Sequence, residues 1–147
     1  MSAKITFTDG TGAATLDNGF SAVANAVACR FSNWVPITTP IGTRVQSLGT
    51  GQTSMFAFRT DYGASFELRE IQGDNIAVAA RLRAWLLGGG QCAVYTDDSA
   101  GATYLTCGLM PGTEPALTQQ DPTELTYALS LSLINLAGSP VPMTCKY

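Results

Sequence analysis

The chain has 147 residues, 46% of them hydrophobic and only 13% charged, with a net charge of -3 and a sequence pI near 4.7. That length suits one domain with a real core. The eight basic residues are scattered, which argues against the clustered Lys and Arg that nucleic-acid binding requires. No run of 18 apolar residues occurs, so nothing reads as a membrane-spanning helix.

Residues 5–8 alternate apolar and polar and read as a short strand ended by Asp9-Gly10. Residues 11–18 are small and read as a loop. The stretch 20–31 suits either a strand or a short helix, with strand preferred. Pro36 and Pro40 make 34–42 extended or loop. Residues 43–48 and 54–60 are two strand-like runs around Gly49-Thr50-Gly51, a hairpin with a Gly-rich tip. Asp61-Tyr62-Gly63 reads as the next turn, and 64–70 as a further strand. Asp74 is a good N-cap for a helix over 75–87, in which Val78, Leu82, Trp85 and Leu86 form one apolar stripe. Gly88-Gly89-Gly90 ends it with a left-handed cap. Three strands follow at 91–96, 103–110 and 125–136, with a loop over 111–122 between the last two. The tail 138–147, with Pro140 and Pro142, reads as a flexible or docking terminus. The element order predicts one domain over 1–147, mainly β, an antiparallel β-sandwich with one flanking α-helix. Residues 1–40 form an N-terminal segment whose structure the pattern leaves open.

The chemistry read from sequence is mostly absent. The chain has no histidine, so Ser–His and Cys–His relays and imidazole metal ligands are excluded. No catalytic, cofactor-binding or metal-binding residues are expected. Asp97-Asp98, with Ser99 and Gly101, reads as turn formation ahead of a calcium-type site. Gly10-Thr-Gly12 and Gly49-Thr-Gly51 are not G-x-G-x-x-G and do not open the helix, which argues against phosphate cradling. Cys29, Cys92, Cys107 and Cys145 read as reduced, mostly buried thiols, with a Cys92–Cys107 bridge between neighbouring strands as the less favoured alternative. Trp34, Tyr62, Trp85, Tyr95 and Tyr104 could line a sugar or peptide shelf, although core packing is the commoner role for such residues. Trp34, beside Pro36, is the best candidate for an exposed contact. The opening residues carry no secretory-type apolar core, so the chain is expected to begin near Met1 and to be made in the cytoplasm.

The stretch from Ala80-Arg-Leu-Arg-Ala-Trp-Leu-Leu-Gly-Gly-Gly90 through Gln91-Cys-Ala-Val-Tyr-Thr-Asp-Asp98, Tyr104-Leu-Thr-Cys-Gly-Leu-Met-Pro-Gly-Thr113 and Pro115-Ala-Leu-Thr118 to Thr126-Tyr-Ala-Leu-Ser-Leu-Ser-Leu-Ile-Asn135 resembles tail proteins of long-tailed bacteriophages. The group is the tail tube and distal tail (baseplate adaptor) proteins. The resemblance spans roughly residues 43–136 and rests on element order and local flavour. It implies a ring-forming structural subunit, a hexameric homo-oligomer that contacts other tail proteins, located in the virion tail after synthesis in the host cytoplasm. It also implies a lumen through which DNA passes without sequence-specific binding; from the residues themselves no cofactor, no membrane insertion and no enzymatic activity are expected. The hairpin over 43–60 would be the arm that reaches a neighbour, with Arg44, Gln46, Gly49, Gly51, Gln52 and Trp34 as assembly contacts. The alternative reading is a small β-sandwich module that binds a carbohydrate or a receptor, with exposed aromatics near Trp34 or Tyr62.

Overall fold

The computed structural model describes residues 3–18, 26–97, 104–123 and 125–147. Its elements in chain order are β1 (Lys4–Asp9), β2 (Gly12–Asn18), β3 (Ala26–Gln46), β4 (Thr53–Gln72), α1 (Ile76–Leu87), β5 (Cys92–Tyr95), β6 (Leu105–Leu109), β7 (Ala116–Asp121) and β8 (Thr126–Asn135). The chain is mainly β. All pairings are antiparallel except the parallel contact of β2 with β3.

The strand order is β4-β3-β2-β1-β5-β6-β8-β7, and β4 also pairs with β8. The sheet therefore returns to its starting strand and closes. One edge of β8 holds β4, while its other edge is shared by β6 near Leu133 and by β7 near Leu129. Side chains alternate across each strand, so Ile5, Phe7, Leu16, Phe31, Phe66, Leu68, Val94, Leu129, Leu131 and Leu133 turn to one side and form the core.

The helix completes that core with Ala79, Leu82 and Leu86, each at most 1% exposed. Val78 and Trp85 flank this face and are only partly buried. Its start differs from expectation. A 3-10 turn covers Gly73–Asn75, so Asp74 lies inside that turn and Asn75 takes the N-cap position. Its end is a paired-bond glycine stop. The Gly89 N–H donates to the Leu86 carbonyl at 3.1 Å and the Gly90 N–H to the Trp85 carbonyl at 2.8 Å. Gly89, with φ of 88°, is the left-handed residue such a stop requires. Gly90 has no room for a side chain because the Trp85 ring lies against it.

Several boundaries move. Residues 12–18 are strand, not loop. Asp9 accepts the Thr11 and Gly12 N–H groups at 2.9 and 3.2 Å and makes the reversal into β2, and pairing then overrides the weak strand propensity of small residues. Asp61-Tyr62-Gly63 is not a turn, because β4 runs straight through it. Residues 34–42 belong to β3. Among the described residues β3 beyond Cys29 pairs with β4 alone and its other edge is open, and an edge strand is where proline is tolerated. Residues 116–121 form β7, where a loop was expected. Of the expected strand over 103–110, residue 103 lies outside the described residues, as do 20–25 of the ambiguous segment. The N-terminal strands β1, β2 and the first part of β3 belong to the same sheet as the rest.

The tail is docked. Lys146 ties the residue before β1 to the residue after β5, its carbonyl accepting the Ala3 N–H at 2.9 Å and its N–H donating to the Thr96 carbonyl at 2.8 Å. Val141 is buried. The tail therefore meets β1 at its first residues, while α1 meets it at the opposite end. There Arg81 donates from Nε and a terminal nitrogen to the two Asp9 oxygens at 3.1 and 2.6 Å, and also to the Gly12 carbonyl at 3.0 Å. The guanidinium draws the Asp9 carboxyl down from 3.8 to about 2, helped by the backbone donors and opposed by partial burial. A carboxylate lowered in the folded state contributes stability above its unfolded value and loses it as pH falls through its folded value. The Asp9 contribution should therefore be full above about pH 4 and vanish towards pH 2. Thermal melts of the wild type and Asp9→Asn against pH check this: the gap between them should be constant near neutrality and close between pH 4 and 2.

Candidate assembly surface

β3 and β4 are far longer than the other strands. β2 leaves β3 after Cys29, and β8 pairs with β4 only from Gly63 onward. Among the described residues, β3 and β4 therefore pair with each other alone before Gly63. The resulting two-stranded arm projects roughly 30 Å at about 3.3 Å per residue. Its tip closes with the Ser47 N–H donating to Gln52 O at 2.7 Å and the Gly51 N–H to Ser47 O at 3.0 Å. Gly51 holds φ of 71°, so the left-handed position that favours glycine is Gly51 and not Gly49.

Every described side chain from 42 to 59 is exposed. Among them are Val45 at 47%, Leu48 fully exposed, Met55 at 67%, Phe56 at 54% and Phe58 at 76%. The register puts Thr43 opposite Phe56, Arg44 opposite Met55 and Val45 opposite Ser54. Directly opposed residues share a face, so Val45 and Phe56 lie on one face and Met55 with Arg44 on the other. At Phe58 the pairing skips, since Ile41 pairs with Arg59 and Gly42 with Ala57. Such a bulge bends and twists a strand. A two-stranded ribbon with apolar groups on both faces has no core of its own and is marginal alone in water. Its unpaired edges are also open to strand addition.

Of the residues expected as contacts, Arg44, Gln46, Gly49, Gly51 and Gln52 all lie on this arm and are exposed. Trp34 does not join them. It sits in β3 near the body, 5.4 Å from the Phe66 ring, and the tail covers it. Its indole N–H donates to Pro142 O at 2.9 Å and its backbone N–H to the Tyr147 hydroxyl at 2.7 Å. The sequence signal that marks the arm more sharply is the adjacent pair Met55-Phe56. Neighbours in a strand point to opposite faces, so two large apolar neighbours in a short polar hairpin cannot both find a core.

Elsewhere the groups are dispersed. Tyr62 and Trp85 are half-buried. Tyr95 and Tyr104 pack with their rings tilted and centroids 5.2 Å apart, and Lys4 sits over the Tyr95 ring. Burial pushes the Cys29, Cys107 and Cys145 thiols up to about 12, with the Asp17 charge adding to the rise at Cys29. Cys92 is raised by burial and by Cys107 beside it. Cys92 and Cys107 are direct cross-strand partners and both are free thiols. Asp17 is buried with neither carboxylate oxygen hydrogen-bonded among the described residues. Asp97 forms an ion pair with Lys146 at 2.9 Å, while Asp98 lies outside the described residues. Among the described residues no three His, Cys, Asp or Glu side chains gather as a metal set, and no helix is long and apolar enough to cross a membrane.

Compared with known protein families and with curated proteins, the chain matches no family model and no curated relative.

The tail's hold on Trp34 makes a measurable prediction. Deleting residues 141–147 removes two hydrogen bonds to Trp34 and the burial of Val141, and should destabilise the protein by about 2 kcal/mol or more. In a Trp85→Phe background the emission of Trp34 should shift to the red. Unchanged emission would place the indole in water already.

Proposed function

We propose that the chain is a structural, ring-forming subunit of a bacteriophage tail, either a tube protein or a distal or minor tail component. In this reading it assembles with copies of itself and contributes to a channel for DNA. The observation that carries the reading is the arm. An exposed ribbon of both-faced apolar residues that the body does not cover is accounted for when a neighbour covers it. The low charge density supports this, since few ions need be stripped of water when broad surfaces meet. A contact between an arm and a different surface of the next copy is heterologous, and such contacts close into rings when the rotation allows. The mainly β sheet with one helix is consistent with the sandwich-like body that the resemblance implies. The acidic balance would suit a lumen that repels DNA and lets it slide.

Light scattering and negative-stain microscopy of the purified chain test the reading. Rings or tubes are expected, and a strict monomer that binds a glycan would overturn it in favour of a binding module. Deleting residues 50–53, or replacing Met55, Phe56 and Phe58 together by Ser, should abolish assembly and leave the melting temperature of the monomer within a few degrees of wild type. Collapse of the monomer on deletion would instead make the hairpin part of the core.

A further inference from the structure

Resting on the reading of the arm as an assembly element, the structure also points to where it lands. α1 has only two charged residues, Arg81 and Arg83, and both are partly exposed and engaged by other groups of the same chain. Arg81 is bound to Asp9, while Arg83 donates to Pro115 O and to Glu114 Oε1, both at 2.8 Å. What α1 turns outward is Ala77, Ala80, Ala84 and Leu87, all exposed. These recur at spacings of three and four, so they form one stripe. A helix apolar on both its inner and its outer face is ordinarily covered on both.

Beside that stripe lies an open groove of about 450 Å³ between α1 and the start of β7, lined by Ala80, Arg83, Glu114, Pro115, Ala116 and Leu117. Among the described residues the outer edge of β7 has no strand partner. Glu114, its side chain 74% exposed, stands at the groove.

Charge selects the occupant. Residues 42–59 include Arg44 and Arg59 and no acid, while six of the eight basic and all eleven acidic residues lie elsewhere. Two arms would meet with like charges, whereas an arm and a body meet with opposite ones. Arg59 is paired with Asp61 at 3.1 Å. Arg44 is exposed on the arm beside Met55.

We propose that the outer face of α1 and the adjoining groove receive the arm of a second copy of this chain. The apolar arm residues cover the alanine stripe, and Arg44 joins Arg83 on the exposed Glu114 carboxylate of the neighbour. The contact is head-to-tail, since each copy offers an arm and a groove at different places.

Charge exchange tests the proposal. Arg44→Glu and Glu114→Lys should each weaken self-association, measured by sedimentation equilibrium, by about tenfold or more. The double variant should recover to within about threefold of wild type, because exchanged partners are coupled and unrelated sites simply add. Ala84→Lys puts a charge on the exposed stripe at a helix position that tolerates it, and should also block assembly while the melting temperature holds. If Glu114→Lys and Ala84→Lys assemble as wild type does while the 50–53 deletion does not, the groove is wrong and the arm stands. If the wild type shows no self-association, both fall. Singles that weaken assembly with no recovery in the double would overturn the Arg44–Glu114 pairing.

Discussion

Gly63 of β4 lies so close to the Leu133 carbonyl of β8 that a β-carbon there would collide with it. This is the first point along β4 at which β8 is its partner. From Gly63 onward β4 has strands on both edges and closes the sheet. Before it, β4 has only β3. The backbone approach at this glycine thus divides one 20-residue strand into a wall of the body and half of an arm. Closing the sheet removes most of the body's edges, which is how β proteins avoid uncontrolled pairing. Among the described residues, the edges that remain unpaired are those of the arm, the outer edge of β3 beyond Cys29 and the outer edge of β7.

The body is tied at both ends of β1. At one end the Arg81–Asp9 pair fixes the helix to the β1–β2 reversal, and at the other Lys146 joins the tail to Ala3 and Thr96. These polar ties satisfy backbone groups at the ends of strands, where ladders run out. They also use up charges. Both helix arginines and Lys146 are engaged within the chain, which leaves an outer helix face and an arm that are mostly uncharged. The internal economy of ion pairs and the apolar outer surfaces are two aspects of the same low charge content.

Much of this was legible in the sequence, for local reasons. The helix was readable from its stripe and its three glycines, and β8 from strict alternation of leucines with small polar residues. The Gly-tipped hairpin was readable from turn chemistry. What could not be read was set by pairing across long separations. Residues 12–18 lack strand propensity and become a strand because β1 and β3 supply partners. Asp61-Tyr62-Gly63 has the composition of a turn, yet its glycine serves a close backbone approach to Leu133. β7 lies in a segment bounded by Pro115 and Pro122, whose Gln-rich centre signals little until β8 is beside it. Trp34 was misplaced because nothing local shows that a tail more than a hundred residues away returns to cover it. Of the assembly surface, the polar tip was visible and the apolar faces were not, since Met55 and Phe56 look like ordinary strand residues until the pairing shows that no core lies beneath them.

The central claim is that the arm is bare in the isolated chain and covered by another copy on assembly. Amide hydrogen exchange measures this directly, since protection follows the free energy of local opening. In dilute monomer, amides in residues 42–59 should exchange orders of magnitude faster than those of β8 and α1. In the assembled state the arm should become protected while β8 and α1 remain so. Arm amides that exchange equally fast in monomer and assembly, with protection appearing on some other surface, would contradict the account.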